Sequence, residues 1–154
     1  GLMLTAGGLQ VIEYNARFGD PETQVVLPML DEDLGALLYS AATGALTAGM
    51  AAEHAGACVA VVAAAEHYPG ASPTGLPIDG LAALDPDVLC FHAGTARDSS
   101  GVMRTSGGRV LSVVGRGGDV AQARRRAYSN LQRVHFAGMR YRLDIAAPTT
   151  EEYT

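Results

Sequence analysis

Lysine and tryptophan are absent from this 154-residue chain, and only two cysteines occur. All eleven basic residues are therefore arginines, and with sixteen acidic residues the net charge is −5. An acidic balance of this kind argues against a nucleic-acid partner or an anionic membrane surface. The longest apolar run, residues 55–65, is far too short to cross a bilayer as a helix. The composition thus predicts neither a nucleic-acid binder nor a membrane protein.

The two cysteines, Cys58 and Cys90, each lie inside an apolar run. Their spacing matches neither a zinc motif nor a disulfide framework, and free thiols at such positions behave as small buried hydrophobes. Free thiols fit a reducing compartment, so we expect a cytoplasmic protein. A hydrophobic content of 48% with 18% charged residues is typical of a globular domain, or of a small domain plus part of another.

The first region, residues 1–46, has the pattern of a strand hairpin followed by helices. Residues 1–5 and 9–15 are the predicted strands, with the Gly7-Gly8 pair in the turn. A short helix is predicted over 21–29, where Asp20 stands at the N-cap position, and a longer one over 32–46. Because the chain opens in mid-strand without methionine, we expect it to be a piece of a longer protein.

A weakly patterned stretch, residues 47–56, is the predicted linker to a second, α+β domain over 57–145. Strands are predicted over residues 57–65, 87–95, 108–116 and 139–145, and a polar loop over 96–101. A helix over 120–134 begins after an N-cap at Asp119. Residues 146–154 are expected to form a frayed tail. The predicted fold class is α+β.

The stretch "VIEYNARFGDPETQ" (11–24) concentrates groups that bind metals and anions. On a strand, Glu13, Asn15 and Arg17 project from one face, with alternate Cα atoms roughly 6.5–7 Å apart. A carboxylate and an amide oxygen at that distance can share an ion. They suit Mg²⁺, which completes its octahedron with water and substrate phosphates. Arg17 beside them can hold phosphate or carboxylate oxygens with its planar fork.

Spacing alone leaves the roles of these residues open. Glu13 and Asn15 can equally form a solvated strand face. Asp20 and Glu22 can hold a substrate amine, or they can serve as the N-cap and first-turn acid of the following helix. Further along, His92 and Thr95 in "FHAGT" end a predicted strand, where loops often carry function.

A family signature bears on the roles of these residues. Residues 13–24 match, at each specified position, the pattern Glu-(aromatic)-Asn-x-Arg-Phe-Gly-Asp-Pro-Glu-(Thr/Ser)-Gln. Similarity continues through "ACVAVVAAAEHYPG", "FHAGT", "GGRVLSVVGRGGDVAQARRRAY" and "FAGMRYRLDI". On these motifs the chain resembles the carboxy-terminal part of the phosphoribosylamine–glycine ligase (glycinamide ribonucleotide synthetase) family of ATP-grasp enzymes. The resemblance implies that residues 1–46 end an ATP-grasp domain and that a small C-terminal α+β domain follows.

The resemblance also implies a reaction. The family's enzyme joins glycine to 5-phosphoribosylamine in de novo purine synthesis, with ATP converted to ADP and phosphate through a glycyl phosphate. Glu13 and Asn15 would bind Mg²⁺ or Mn²⁺. Arg17 would be catalytic and contact substrate, and Asp20 and Glu22 would bind substrate. Glycine, 5-phosphoribosylamine, ATP and the amino-terminal and remaining ATP-grasp parts of the enzyme would be the partners.

The sequence departs from the family pattern in three respects that bear on its activity. The family's usual Lys-Gly-Tyr-Pro-Gly reads "EHYPG" here, and its downstream Tyr-x-Lys-Gly reads "SPTG". A chain without lysine cannot supply the family's nucleotide-clamping lysines, so we expect the chain alone to be inactive. Two other hypotheses stay open at this point, namely a different ATP-grasp carboxylate–amine ligase and a non-catalytic binding module.

Overall fold

A computed structural model describes residues 1–47 and 55–148. Strands and helices alternate irregularly along the chain, as in an α+β protein. In chain order they are β1 (Leu2–Thr5), β2 (Gly8–Val11), α1 (Thr23–Val26), α2 (Leu34–Ala42), β3 (Ala57–Ala64), β4 (Leu89–His92), β5 (Thr95–Arg97), β6 (Met103–Thr105), β7 (Arg109–Gly117) and α3 (Val120–Leu131). Two short 3₁₀ turns cover Leu27–Met29 and Leu81–Ala83.

Strand β7 is the centre of the main sheet. It pairs antiparallel with β3 on one side and with β4 on the other, in the order β3-β7-β4. Along β3 every second residue is buried, beginning with Val59, whereas β7 is buried at six consecutive positions from Val110 to Gly115. A strand with both neighbours paired and both faces covered is buried along its length, and Ser112 is the one polar residue among these six. The predicted strands over 57–65 and 108–116 therefore correspond to β3 and β7.

Helix α3 covers the sheet with a face of small residues. The Asp119 carboxylate accepts a hydrogen bond of 2.7 Å from the Gln122 amide, so the predicted N-cap is confirmed. Ala123, Ala127 and Leu131 are fully buried against β3 and β7. The helix ends at Leu131 rather than at residue 134.

Asn130 is a buried polar residue on the same face of α3. Its Oδ1 accepts from the Asp85 amide at 2.8 Å, and its Nδ2 donates to Asp85 Oδ2 at 3.0 Å and to the Arg126 carbonyl at 3.1 Å. Both donors and the acceptor oxygen of the Asn130 amide thus have partners, which offsets the desolvation penalty of burying it. The contact fixes the loop before β4 against the helix.

The first region forms a hairpin and two short helices. Strands β1 and β2 pair from Leu2↔Val11 to Thr5↔Gly8, and every residue of both strands is exposed. Helix α2 is capped by Asp33, whose carboxylate accepts from the Ala36 amide at 2.9 Å. Helix α1 packs beside β3 and β7, and so joins the first region to the main sheet.

Several element boundaries differ from those expected from the sequence. Strand β2 ends at Val11 instead of residue 15, and the predicted helix over 21–29 is a single α-turn followed by a 3₁₀ turn. The predicted strand over 87–95 is divided between β4 and β5, which belong to different sheets. Residues 48–54 and 149–154 lie outside the described residues. The predicted linker, the domain limits and the frayed tail therefore stay predictions.

The expected strand over 139–145 is wrong. Only an isolated bridge, Ala64↔Arg140, extends the sheet there. Beyond it, side chains of α3 hold the backbone instead of a neighbouring strand. Arg124 donates to the carbonyls of Ile145 and Leu143, at 2.9 and 2.6 Å, and the Tyr128 hydroxyl donates to the Arg142 carbonyl at 2.7 Å.

The polar loop expected over 96–101 is a hairpin turn between β5 and β6, organised around Asp98. Asp98 Oδ1 accepts from the amides of Ser100 and Val102 and from the Ser100 hydroxyl, while Oδ2 accepts from Arg104 Nε. These donors hold the pKa of the Asp98 carboxyl well below its usual range. The turn thus depends on the charged form of one side chain.

No helix among residues 1–47 and 55–148 has both the length and the apolarity that crossing a membrane requires.

We expect Gly115→Ala to destabilise the chain because Gly115 faces the backbone of α3. A Cβ at this position would lie 2.5 Å from the Ala127 amide nitrogen and close to the Ala123 carbonyl oxygen. Overpacking of this kind costs about 1–3 kcal/mol in the free energy of unfolding, measurable by denaturant titration. Gly118→Ala is the matched control, since its Cβ would meet only the Gln122 Oε1 at 3.6 Å. Equal stability of the two variants would contradict the close approach of α3 to β7.

We expect the stability difference between the wild type and Asp98→Asn to depend on pH. Because the pKa of Asp98 is lowered on folding, its contribution is present above the pKa of the unfolded carboxyl, at about pH 4, and is lost as pH falls toward the folded-state pKa. The variant should therefore have a lower Tm at pH 7 and converge with the wild type in acid. A constant Tm difference from pH 7 to pH 2 would show that the Asp98 charge does not stabilise the turn.

Candidate functional site

Glu13 and Asn15 lie just beyond the end of β2. The backbone stays close to β1 here, since the Ile12 amide donates to the Gly1 carbonyl at 2.8 Å. Asn15 Nδ2 donates to Glu13 Oε1 at 3.1 Å, and both residues are exposed. The two side chains therefore come together in space, although the regular strand on which that expectation was based has already ended.

The donor set of this pair fits a hydrated ion and not a closed protein cage. Within the described ranges, no group of three or more His, Cys, Asp or Glu side chains is placed to hold a metal. One carboxylate with one amide oxygen leaves four octahedral positions for water and phosphate oxygens, which is how Mg²⁺ is commonly bound, and Mn²⁺ accepts the same ligands. A half-turn of the Asn15 amide would present Oδ1 in place of Nδ2 beside Glu13.

Arg17 and Glu22 lie on the exposed loop that follows. The Arg17 guanidinium donates to the Phe18 carbonyl at 2.7 Å, which leaves most of its donors toward solvent. The Glu22 carboxylate folds back over Gly19 and occupies the space that a Cβ at residue 19 would need. Because Gly19 has no Cβ, the Glu22 carboxylate can lie against its backbone, and the loop from residue 17 to residue 22 can turn tightly.

Asp20 is not the N-cap that the sequence suggested. Glu22 holds the cap position of α1 and makes no side-chain cap hydrogen bond. Asp20 Oδ1 accepts from Gln24 Nε2 at 3.1 Å, while Oδ2 and the Asp20 carbonyl accept from the two terminal nitrogens of Arg109, each at 2.9 Å. The Arg109 guanidinium offers Asp20 two donors of a charged group, whereas the backbone amides at a helix N-terminus are uncharged donors. Each carboxylate oxygen keeps a lone pair for a further donor.

Arg109 is the residue that sequence reasoning missed. It begins β7, and its carbonyl accepts from the Gly94 amide at 2.8 Å, which places the "FHAGT" motif at the same end of the sheet. There His92 Nδ1 lies 3.0 Å from Thr95 Oγ1. The available signal was an arginine directly before an apolar strand in "GGRVLSVV", but nothing in the sequence pairs it with Asp20.

One cleft is lined in part by Arg109. It has a volume of about 670 Å³ and is lined mainly by apolar groups, with Tyr68, Met139 and Leu143 among them. None of the predicted site residues lines it. The charged loop at 17–22 and the Glu13–Asn15 pair are therefore a surface site and do not belong to this cleft.

The two free cysteines contribute no reactive group to the site. Burial raises the pKa of both the Cys58 and the Cys90 thiols, which favours the protonated form. Both side chains are partly buried rather than fully buried as expected, and Cys90 packs against the hydrophobic core.

Comparison with known proteins identifies the family. Residues 58–148 match the sequence profile of the phosphoribosylglycinamide synthetase C domain. The phosphoribosylamine–glycine ligase of Leifsonia xyli is 55% identical over 96% of this chain, and that of Mycobacterium leprae is 48% identical over 94%. The crystal structure of the phosphoribosylamine–glycine ligase of Thermotoga maritima superposes with a TM-score of 0.77 at 39% identity, over 94% of this chain.

These matches cover only part of each relative. The chain spans 36% and 34% of the two curated relatives and 35% of the Thermotoga maritima structure. The similarity nevertheless extends through both the first region and the main sheet. The chain therefore belongs to the phosphoribosylglycinamide synthetase family and corresponds to the carboxy-terminal part of phosphoribosylamine–glycine ligases.

Proposed function

We propose that this chain is the carboxy-terminal part of an ATP-dependent ligase that joins glycine to 5-phosphoribosylamine. The observation that supports this most directly is the contact of Glu13 with Asn15, immediately before the charged loop 17–22, in a chain of this family. Since the chain spans about a third of its relatives, the activity belongs to the longer enzyme. Within a cell, we place that enzyme in the cytoplasm.

Glu13 and Asn15 are the proposed ligands for Mg²⁺ or Mn²⁺. When bound there, the ion would supply positive charge that offsets the charge developing on transferred phosphate oxygens. Arg17 is the proposed catalytic residue, because its free donors can orient a glycine carboxylate or phosphate oxygen bidentately. Asp20 and Glu22 present carboxylate oxygens that can accept hydrogen bonds from a substrate amine.

The chemistry follows from joining a carboxylate to an amine. A glycine carboxylate oxygen attacks the γ-phosphorus of ATP, ADP departs, and glycyl phosphate forms. The amine nitrogen of 5-phosphoribosylamine then attacks the acyl carbon, phosphate leaves with the bridging oxygen, and the nitrogen loses a proton. Arg17 would hold the carboxylate in line for the first attack, while the acidic side chains of the loop keep the glycine ammonium away from the reacting phosphorus.

We expect the 154-residue chain alone to form no glycinamide ribonucleotide from glycine, 5-phosphoribosylamine and ATP, whereas the intact enzyme that contains it should form this product. The reason is that the family resemblance assigns the clamping of the nucleotide phosphates to lysines, and this chain contains none. Product formation is followed by mass spectrometry. A panel of other small carboxylates, given in place of glycine, tests the alternative of a different ligase. Turnover by the isolated chain, or preference for another carboxylate, would contradict the proposal.

We expect Glu13→Gln and Asn15→Leu, made in the intact enzyme, each to reduce kcat by on the order of 100-fold or more while the fold is retained. Both residues are exposed, so neither change opens a cavity. Raising Mg²⁺ or Mn²⁺ should restore Asn15→Leu better than Glu13→Gln, because the former keeps the carboxylate. Gln10→Leu, on the exposed part of β2, is the matched control. Wild-type turnover with unchanged metal dependence in both site variants would indicate a merely solvated surface.

A further inference from the structure

One guanidinium connects the main sheet to the proposed substrate loop. Arg109, the first residue of β7, reaches residue 20 across a sequence separation of 89 positions. Its Nη1 donates to the Asp20 carbonyl and its Nη2 to Asp20 Oδ2, both at 2.9 Å. Because one fork contacts both the backbone and the side chain of the same residue, it fixes the position of the peptide and the direction of the carboxylate together.

The other hydrogen bonds of the loop, among the described residues, are local. The Gly19 carbonyl accepts from the amide of Thr23 at 3.0 Å and from its hydroxyl, and the Asp20 carboxylate accepts from Gln24 at 3.1 Å. These bonds shape the turn, and the packing of α1 beside β3 and β7 brings it near the sheet. Arg109 adds a polar attachment at residue 20 from a fixed base, since its own carbonyl is bonded to Gly94 and its backbone is paired with Ala64.

We propose that Arg109 is a positioning residue for the ligase reaction. It holds Asp20, at the centre of the loop, so that Arg17 on one side and Glu22 on the other face the glycine site. This inference rests on the proposed ligase function. Arg109 itself contacts protein and acts through Asp20, so its effect on catalysis is one of geometry.

A role limited to stability fits the pair less well. The side chains of Arg109 and Asp20 are 37% and 36% exposed, and partly exposed ion pairs of this kind contribute little to folding. The two-pronged geometry is what distinguishes the contact, and lysine cannot reproduce it because its ammonium is a single point of charge. Loss of the fork should therefore alter how the loop presents its charged groups more than it alters the unfolding temperature.

The kinetic test uses Arg109→Ala and Arg109→Lys in the intact enzyme. We expect kcat/KM for glycine to fall by on the order of 10- to 100-fold in Arg109→Ala, with a raised KM for glycine and an unchanged KM for ATP. Arg109→Lys should recover only part of the loss. Arg116→Ala is the matched control, because Arg116 lies on the same strand and its Nη1 makes only a long, 3.5 Å contact with the Pro28 carbonyl.

A second test needs no activity. Hydrogen exchange in the 154-residue chain should show faster exchange of the Thr23 and Gln24 amides in Arg109→Ala than in the wild type, with the amides of β3 and β7 unchanged. Arg109→Lys should fall between the two. If Arg109→Ala is too unstable to measure, the amide exchange rates and the glycine kinetics of Arg109→Lys test the proposal instead.

The outcomes separate the two proposals. A wild-type enzyme that makes no glycinamide ribonucleotide would contradict the proposed function and, with it, the catalytic role of Arg109. An active wild type with unchanged glycine KM and unchanged loop exchange in the Arg109 variants would overturn only the positioning role. A lowered Tm without any change in glycine kinetics would likewise show that the pair merely holds two segments together.

Discussion

The buried central position of β7 is the constraint on which the other elements depend. Its two edges pair with β3 and β4, and its Gly115 lets α3 approach the sheet backbone. Its first residue, Arg109, holds Asp20. Strand β7 thus determines the register of the sheet, the position of α3 and the attachment of the proposed substrate loop. A change that displaces β7 would disturb all three at once, since packed interiors transmit strain.

The residues proposed for the chemistry lie at the surface, in contrast to the buried strand β7. Glu13, Asn15 and Arg17 are exposed and have few protein contacts, whereas the loop beside them is attached to the buried sheet through Asp20. The neighbouring hairpin is exposed on both faces, with Leu2, Leu9 and Ile12 each more than 60% exposed. Apolar patches of this kind mark contact surfaces. The hairpin thus presents apolar side chains at the surface beside the charged loop.

Local patterns in the sequence were enough to predict β3, β7 and α3, because alternation, a continuous apolar run and an N-cap are local signals. They failed where long-range contacts decide the structure. Asp20 has the position of an N-cap but binds an arginine 89 residues away, and the segment after Arg140 is held by side chains of α3 instead of a strand. The spacing of Glu13 and Asn15 predicted their proximity, while their roles came only from the family resemblance. No local signal could have paired Arg109 with the site.

The central proposal is that this chain forms part of an enzyme that activates a carboxylate with ATP and transfers the acyl group to an amine. Glycine labelled with ¹⁸O in its carboxylate tests it most directly in the intact enzyme, with the inorganic phosphate analysed by mass spectrometry after a single turnover. The account predicts that one labelled oxygen appears in the phosphate, because the carboxylate oxygen bonds to the γ-phosphorus and remains on it when the amine displaces phosphate. Unlabelled phosphate, released together with glycinamide ribonucleotide, would contradict it.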